Sequence, residues 1–350
     1  MTPQPLKEKS PAPGRGPYGL IMLFLGGLLL VCLAAAAGMG YMKIPPGRVL
    51  EMIAGALTGR GRAGLDPVLA AVLFDVRLPR ILTAAMVGGG LALSGVVFQG
   101  ILLNPLADPY TLGVSSGAAF GAALALLCNF TFWGAWSITA CAFLGALLTL
   151  FIVMRLAGSG NAGLSSGNLI LAGVIIAAIL AAGISLIKFL ADEQVSVIIF
   201  WLMGSFASKT WADLLLVTVF AAPGMVLILF YARELNLLSL GPRAAASLGV
   251  DTRRVTAVLL ISATLVAAAC VSVSGIVGFV GLLVPHLVRG LTGPDNRRLA
   301  PAAFLAGALL LLVADTVTRA VLPREVPIGV LTALIGGPFF CWIYQKKLRR

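Results

Sequence analysis

Apolar residues run along this chain in long unbroken stretches, separated by short polar segments that hold most of the charge. Ten stretches read as membrane helices: about Gly19–Met42, Arg80–Leu103, Gly113–Cys128, Gly134–Leu156, Asn168–Leu190, Trp211–Ala232, Val255–Gly275, Gly275–Leu287, Leu299–Val321 and Pro327–Tyr344. About 20 apolar residues carry a helix across the hydrocarbon core of a bilayer. A membrane barrel would instead show segments of about ten residues with alternating polarity. The pattern therefore predicts an all-α polytopic membrane protein of about ten transmembrane helices. The eighth stretch is short and interrupted by Pro285. Val195–Phe206 is apolar but too short to cross, which predicts a re-entrant or interfacial helix. A longer polar stretch runs to Asp75, and within it Pro45-Pro46 opens a short amphipathic helix through about Leu57.

Composition agrees with this pattern. Of 350 residues, 59% are hydrophobic and 11% charged, against about 25% charged in a soluble domain. The net charge of +12 raises the question of nucleic acid, but the basic residues flank apolar runs, as the positive-inside tendency requires. No nucleic-acid partner is expected; membrane lipid is. Residues 1–18 read as a cytoplasmic N-terminal tail and 19–350 as one transmembrane domain. With both termini in the cytoplasm, fifteen basic residues fall inside and ten outside, a modest balance that leaves an outward excess to explain. Cys32, Cys128, Cys141, Cys270 and Cys341 lack CxxC spacing and read as small buried apolar residues rather than disulfides or metal ligands. Glycines at Gly88–Gly90 and Gly95, and at Gly113, Gly117 and Gly121, set small faces on helices for close packing within a subunit or between two. A weak repeat relates Ser94-Gly95…Pro105 to Ser274-Gly275…Pro285.

Candidate chemistry is sparse. There is one histidine, His286, and no GxxxxGK[ST] phosphate loop, so a nucleotide is not hydrolysed on this chain by that route. Gly158–Gly163 matches GxGxxG but follows a membrane helix instead of a strand, so it fails its structural context. Asn129-Phe130-Thr131 matches a glycosylation sequon, a pattern that arises often by chance. Asp315 stands four residues before Arg319, which predicts an i,i+4 pair, with ion coupling as the rival role. Gln99 either lines a path or bonds a neighbouring helix. Arg77, Arg80 and Arg319 are placed at the outer mouth, where they suit either an acidic partner or lipid headgroups and helix ends. The inner loop from Arg233 to Arg254 holds a short helix, Pro242–Leu248, ending at Gly249; it either transmits motion from a cytoplasmic partner or simply connects two spans.

Taken together, several segments resemble the FecCD-type permeases, the membrane subunits of ABC importers for iron-siderophore complexes, haem and cobalamin. The residues that carry the resemblance are Arg77-Leu-Pro-Arg80, Asn104-Pro-Leu-Ala-Asp108-Pro109, Leu112-Gly-Val-Ser-Ser-Gly117-Ala, Leu171-Ala-Gly173 and Trp201-Leu-Met-Gly204. Further along are Ala246-Ser-Leu-Gly249-Val250, Gly278-Phe-Val-Gly281-Leu-Leu-Val-Pro285-His286, Ala314-Asp315 and Pro327-Ile-Gly329-Val-Leu-Thr332. The resemblance implies the type II importer permease architecture, a second permease subunit (a homodimer being expected), two ATPase subunits carrying ATP and Mg, and a periplasmic or lipid-anchored binding protein. It implies a multi-pass protein of the cytoplasmic (inner) membrane, with no catalytic residue, metal or cofactor of its own. Residue by residue, it implies that Arg77, Arg80 and Arg319 meet acidic residues of the binding protein. It likewise implies that Arg243, Ala246, Ser247, Leu248, Gly249 and Val250 contact an ATPase. Asn104, Leu106, Ser165 and Ser166 resemble a cytoplasmic gate. The fifth and tenth spans, with Val195–Phe206, resemble pathway walls. Iron-siderophore is the cargo the resemblance favours, with cobalamin or haem as alternatives and a molybdate-like oxyanion as a further one. An ion-coupled secondary transporter, resting on Asp315, is the rival from another class; a membrane enzyme is a third.

Overall fold

A computed structural model describes residues 18–40, 42–58, 66–130, 132, 134, 136–159, 164–321 and 324–348. Of the tail expected at 1–18, residues 1–17 lie outside these residues and Tyr18 begins the first helix; parts of the sequon and of the GxGxxG segment also lie outside. Fourteen helices make up nearly all of the described chain: α1 (Tyr18–Gly38), α2 (Pro46–Leu57), α3 (Pro67–Ile101), α4 (Val114–Leu127), α5 (Trp136–Gly158), α6 (Ser166–Leu190) and α7 (Val195–Leu202), then α8 (Trp211–Phe230), α9 (Ala232–Leu238), α10 (Pro242–Ser247), α11 (Thr252–Ser274), α12 (Val280–Thr292), α13 (Asn296–Ala320) and α14 (Ile328–Leu348). Seven are long and apolar enough to cross a bilayer: α1, α3, α5, α6, α8, α11 and α13. The other three apolar stretches form α4, α12 and α14, so each of the ten predicted runs is a helix of a multi-pass bundle. The short helices expected at Pro46 and Pro242 also form, as α2 and α10.

The sequence reading is corrected at the second span. It begins at Pro67, where Asp66 caps the helix by accepting the Val68 backbone N–H, and it runs for 35 residues. One wide π turn, Val72–Arg77, precedes Pro79. Proline has no N–H to continue an i→i−4 ladder, and the extra residue in the π turn fits it into the helix without a break. The expected polar stretch to Asp75 therefore ends early, and Arg77 and Arg80 lie within a helix instead of at its mouth.

α3 is the axis of the bundle. Almost every residue from Pro79 to Ile101 is buried, Leu82 and Met86 excepted. Its most extensive neighbour is α13. A Cβ on Gly88 would collide with the Gly307 carbonyl oxygen, and one on Gly307 with that of Gly88. Such glycine faces let helix backbones approach closely where no hydrophobic force drives association in lipid. The same holds for Gly117 of α4 against Gly145 of α5. The peripheral helices are built differently: α6 keeps few buried residues, and Leu171, Ile179, Leu186 and Phe189 point out of the subunit. Of the five cysteines, all unpaired, only Cys270 is fully buried; Cys128 and Cys341 are exposed. The weak repeat has no structural counterpart, since Ser94 lies inside α3 whereas Ser274 ends α11.

Candidate functional site: two polar ends of the bundle

Polar side chains collect at the two ends of the bundle. At the first end, three arginines converge from α3 and α13. Arg77 donates through Nη1 to the Ala37 and Gly38 carbonyls, at 2.8 and 3.1 Å, and through Nη2 to Met42. Arg319 donates to the Ala36 carbonyl at 2.9 Å. The last carbonyls of a helix have no partner within it and carry partial negative charge. Two guanidiniums thus close the C-terminus of α1. Gly40 makes room for them: a Cβ there would sit 3.0 Å from Nη2 of Arg77 and 3.4 Å from Nη1 of Arg319.

Arg80 does different work. Its Nε and Nη2 donate to the Asp315 carboxylate at 2.9–3.1 Å, and its Nη1 donates to Glu325 at 3.1 Å. Planar guanidinium matches carboxylate two bonds at a time, which makes such pairs strong and directional. Asp315 is 1% exposed and Arg80 7%. The predicted Asp315–Arg319 pair is therefore replaced by Asp315–Arg80. Local helix spacing favoured Arg319, but α3 brings a guanidinium fork straight to the carboxylate, and Arg319 turns to the end of α1. Arg77 and Arg80 are buried and bonded within the subunit, and Arg77 is a helix-end charge, one of the roles the sequence left open for it.

At the second end lies a different arrangement. Pro285 in α12 has no N–H, so the Gly281 carbonyl one turn earlier loses its helical donor. The Gln99 amide from α3 supplies one: Nε2 lies 3.4 Å from the Gly281 oxygen and 3.1 Å from that of Leu282. Its Oε1 accepts from Arg289 Nη2 at 3.0 Å. Gln99 thus bonds a neighbouring helix, one of its two expected roles. The chain then turns at Leu103 in a left-handed conformation, and the Asn104 side chain accepts the Leu106 N–H at 2.9 Å. Ser165 caps α6, and Ser166, its first residue, donates to the Ile101 carbonyl at 3.0 Å. The fold therefore brings Asn104, Leu106, Ser165 and Ser166 together where α3 ends and α6 starts. Asp108 stabilises the same loop by accepting the Tyr110 and Thr111 N–H groups and the Thr111 hydroxyl. Burial pushes its carboxyl up to about 6 against those bonds.

Beside it, the segment 233–254 forms a small helical platform. Ala245 is buried, while Arg243, Ala246, Ser247, Leu248 and Gly249 face outward and Val250 is half-buried. Gly249 takes the left-handed conformation that ends α10, and Val250 N–H closes back on the Ala245 carbonyl at 3.1 Å. The platform is clasped to α13 in both directions: Asn236 donates to Asp295 at 2.7 Å and accepts the Asn296 N–H at 2.7 Å. Sequence reasoning missed this clasp, Arg289 and Glu325. The only local signal was Asp295, an N-cap residue ahead of an apolar run.

Residues 28–346 match the model of the FecCD transport family. The hemin transport system permease protein HmuU of Yersinia pestis is 41% identical over 79% of this chain and 84% of its own. The molybdate import system permease protein MolB of Haemophilus influenzae is 40% identical over 95% of this chain and 97% of its own. A solved inward-facing structure of a metal-chelate type ABC transporter superposes with a TM-score of 0.81 at 37% identity, covering 94% of this chain and 100% of that one. This chain belongs to the FecCD transport family and is a multi-pass ABC transporter permease.

Proposed function

We propose that this permease moves a metal chelate inward across the cytoplasmic membrane, driven by separate ATPase subunits and fed by a substrate-binding protein. The observation that carries the class of mechanism is the state of Asp315. An ion-coupled carrier needs an ionisable group in the bilayer free to exchange its ion. Among the described residues, Asp315 is the one buried carboxylate within a long span, and both its oxygens are held by Arg80. That favours ATP-driven transport over the secondary transporter. ATP and Mg belong to the partner subunits; the permease itself needs no cofactor.

The relatives bear names that span hemin, molybdate, cobalamin and Fe(3+)-citrate import. An iron-siderophore complex is the cargo proposed here. Two copies pair across α6 and α14, with α7 beside them, and the apolar side chains of α6 form the pathway walls. Both termini lie in the cytoplasm. The end bearing Arg77, Arg80 and Arg319 faces out, where three guanidiniums against two carboxylates leave excess positive charge to meet acidic residues of the binding protein. Arg243 and Ala246–Val250 meet an ATPase. Asn104, Leu106, Ser165 and Ser166 close the inner gate. ATP binding draws the platforms together, the gate loops part, and a largely apolar pathway releases a large chelate because it holds no tight site.

The test is uptake into proteoliposomes holding the permease, its ATPase and its binding protein. Labelled ferric siderophores, haem, cobalamin and molybdate are offered with and without ATP. Uptake of one cargo that needs both ATP and binding protein is the expected result. Uptake that follows an ion gradient and ignores ATP would overturn it.

A further inference from the structure

Between the gate loop and the helical platform lies an open cavity of about 380 Å³, lined among others by Gln99, Asn104, Ser239, Gly241, Arg289 and Asn296. It contains the one cation of this end that is half-buried without a carboxylate: Arg289 donates only to the Gln99 amide, and no acidic group faces it among the described residues. Two acids of the adjoining segments are already committed, and a third, Glu234 of α9, has a buried Oε2 without a hydrogen-bond partner but does not act on Arg289. Asp295 is held by Arg297 and Asn236, and Asp251 caps α11. A guanidinium has five donors, and Arg289 spends one on Gln99 while lining a cavity between the gate loop and the platform. Leu240, on its rim, is 66% exposed, an apolar side chain beside a charged hole.

We infer that this cavity is a socket for an acidic side chain of the ATPase subunit, which pairs with Arg289. The inference rests on reading the chain as an ATP-driven permease. Charge complementarity selects the occupant: Arg289 is half-buried with only an amide partner, so a carboxylate entering the cavity meets a positive charge that no acid of this chain pairs among the described residues. A carboxylate seated there also touches the transport machinery, because Gln99 links Arg289 to the carbonyl freed by Pro285 in α12, and Asn104 carries the gate loop. Motion of the ATPase then reaches both α12 and the gate through one ion pair.

The experiment titrates the purified ATPase subunit onto permease held in nanodiscs, at low and high salt. Arg289→Gln is expected to weaken binding about tenfold and to flatten its salt dependence, as loss of a buried interfacial charge pair does. Ser239→Asp, which leaves Arg289 in place but offers it a carboxylate inside the cavity, is expected to weaken binding in the same way. Arg289→Glu is rescued by reversing one acidic residue of the ATPase. If Arg289→Gln and Ser239→Asp both bind like the wild type with the same salt slope, the socket is wrong. The same holds if Arg289 variants alter only retention of anionic lipid. If the wild-type permease binds no ATPase at all, the reading of the chain as an ATP-driven permease fails, and the socket with it.

Discussion

The two ends of this bundle spend their arginines in opposite ways. At the first end, Arg80 is saturated by two carboxylates and Arg77 by three backbone carbonyls, all from the same subunit, and Arg319 alone falls short, with one carbonyl partner and a buried Nε left over. At the second, Arg289 has a single amide partner and a cavity in front of it. A charge satisfied at home holds helices in place; a charge left half-satisfied at an open pocket is available to another chain. The difference separates a fixed end, where α1, α3 and α13 are tied together, from an end built to be acted on.

The sharpest way to break this contrast is Asp315→Ala. It strands the Arg80 guanidinium in the interior with only the half-exposed Glu325, and removing one partner of a buried pair costs about 3–5 kcal/mol. Unfolding of the purified protein in denaturing detergent should show a loss of that size. Replacing both partners, Arg80→Met with Asp315→Leu, should recover most of it, since well-packed apolar residues are no worse than a buried pair. A small effect of Asp315→Ala would mean that the first end is not the fixed one.

Next in size is a pH effect at the second end. The Asp108 carboxyl is buried and its pKa raised to about 6, from an ordinary 3.8. A group whose folded value lies above its unfolded value favours the fold when protonated. Stability is therefore greatest below about pH 4, falls as pH rises toward about 6, and stays lower above that. The span corresponds to about 3 kcal/mol. Asp108→Asn keeps the oxygen that accepts the Tyr110 and Thr111 groups and removes the charge. It should be more stable than the wild type above about pH 6, with the pH dependence gone. An unchanged pH profile would show that the loop is open to water.

Gln99→Leu comes third. It leaves the Gly281 carbonyl without a donor and Arg289 without its amide, at about 1–3 kcal/mol for an unsatisfied buried polar group. Arg289→Gln should cost less stability than this while losing far more ATPase affinity. That inverted order is the signature of an end made for a partner, and equal losses in both measurements would erase the distinction.

Much of this was legible from the chain, for a physical reason. A bilayer demands about 20 apolar residues per span, so the runs had to be helices, and Pro46 and Pro242 marked the starts of two short ones. The sites were less legible. Asp315 finds Arg80 across 235 positions of sequence, whereas the spacing rule for helices looks only four residues away. The polar look of Asp75 and Arg77 hid the start of α3: Asp75 stands exposed on the π turn, while the charge of Arg77 is absorbed by the end of α1 and not by water. Gln99 and Pro285 stood out singly and Arg289 did not; only the crossing of α3 and α12 makes an orphan carbonyl, its donor and a cation into one unit.

The smallest effect tests the first end most finely. Glu325 is 50% exposed and contacts one face of Arg80, and a pair so open to water is worth less than about 1 kcal/mol. Glu325→Gln should thus leave unfolding almost unchanged, in contrast to Asp315→Ala beside it. Its effect on partners should be larger than its effect on stability. If the binding protein offers a carboxylate to this cluster, that carboxylate has to compete with Glu325 for Nη1 of Arg80. The neutral amide of the variant is a weaker competitor and adds no negative charge, so the binding protein should bind a few-fold more tightly, and the gain should shrink as salt screens it. Titrating the binding protein onto nanodisc-held permease measures this directly. Unchanged affinity would mean that Arg80 serves only to fix helices, leaving any acidic partner to the remaining positive charge at that end.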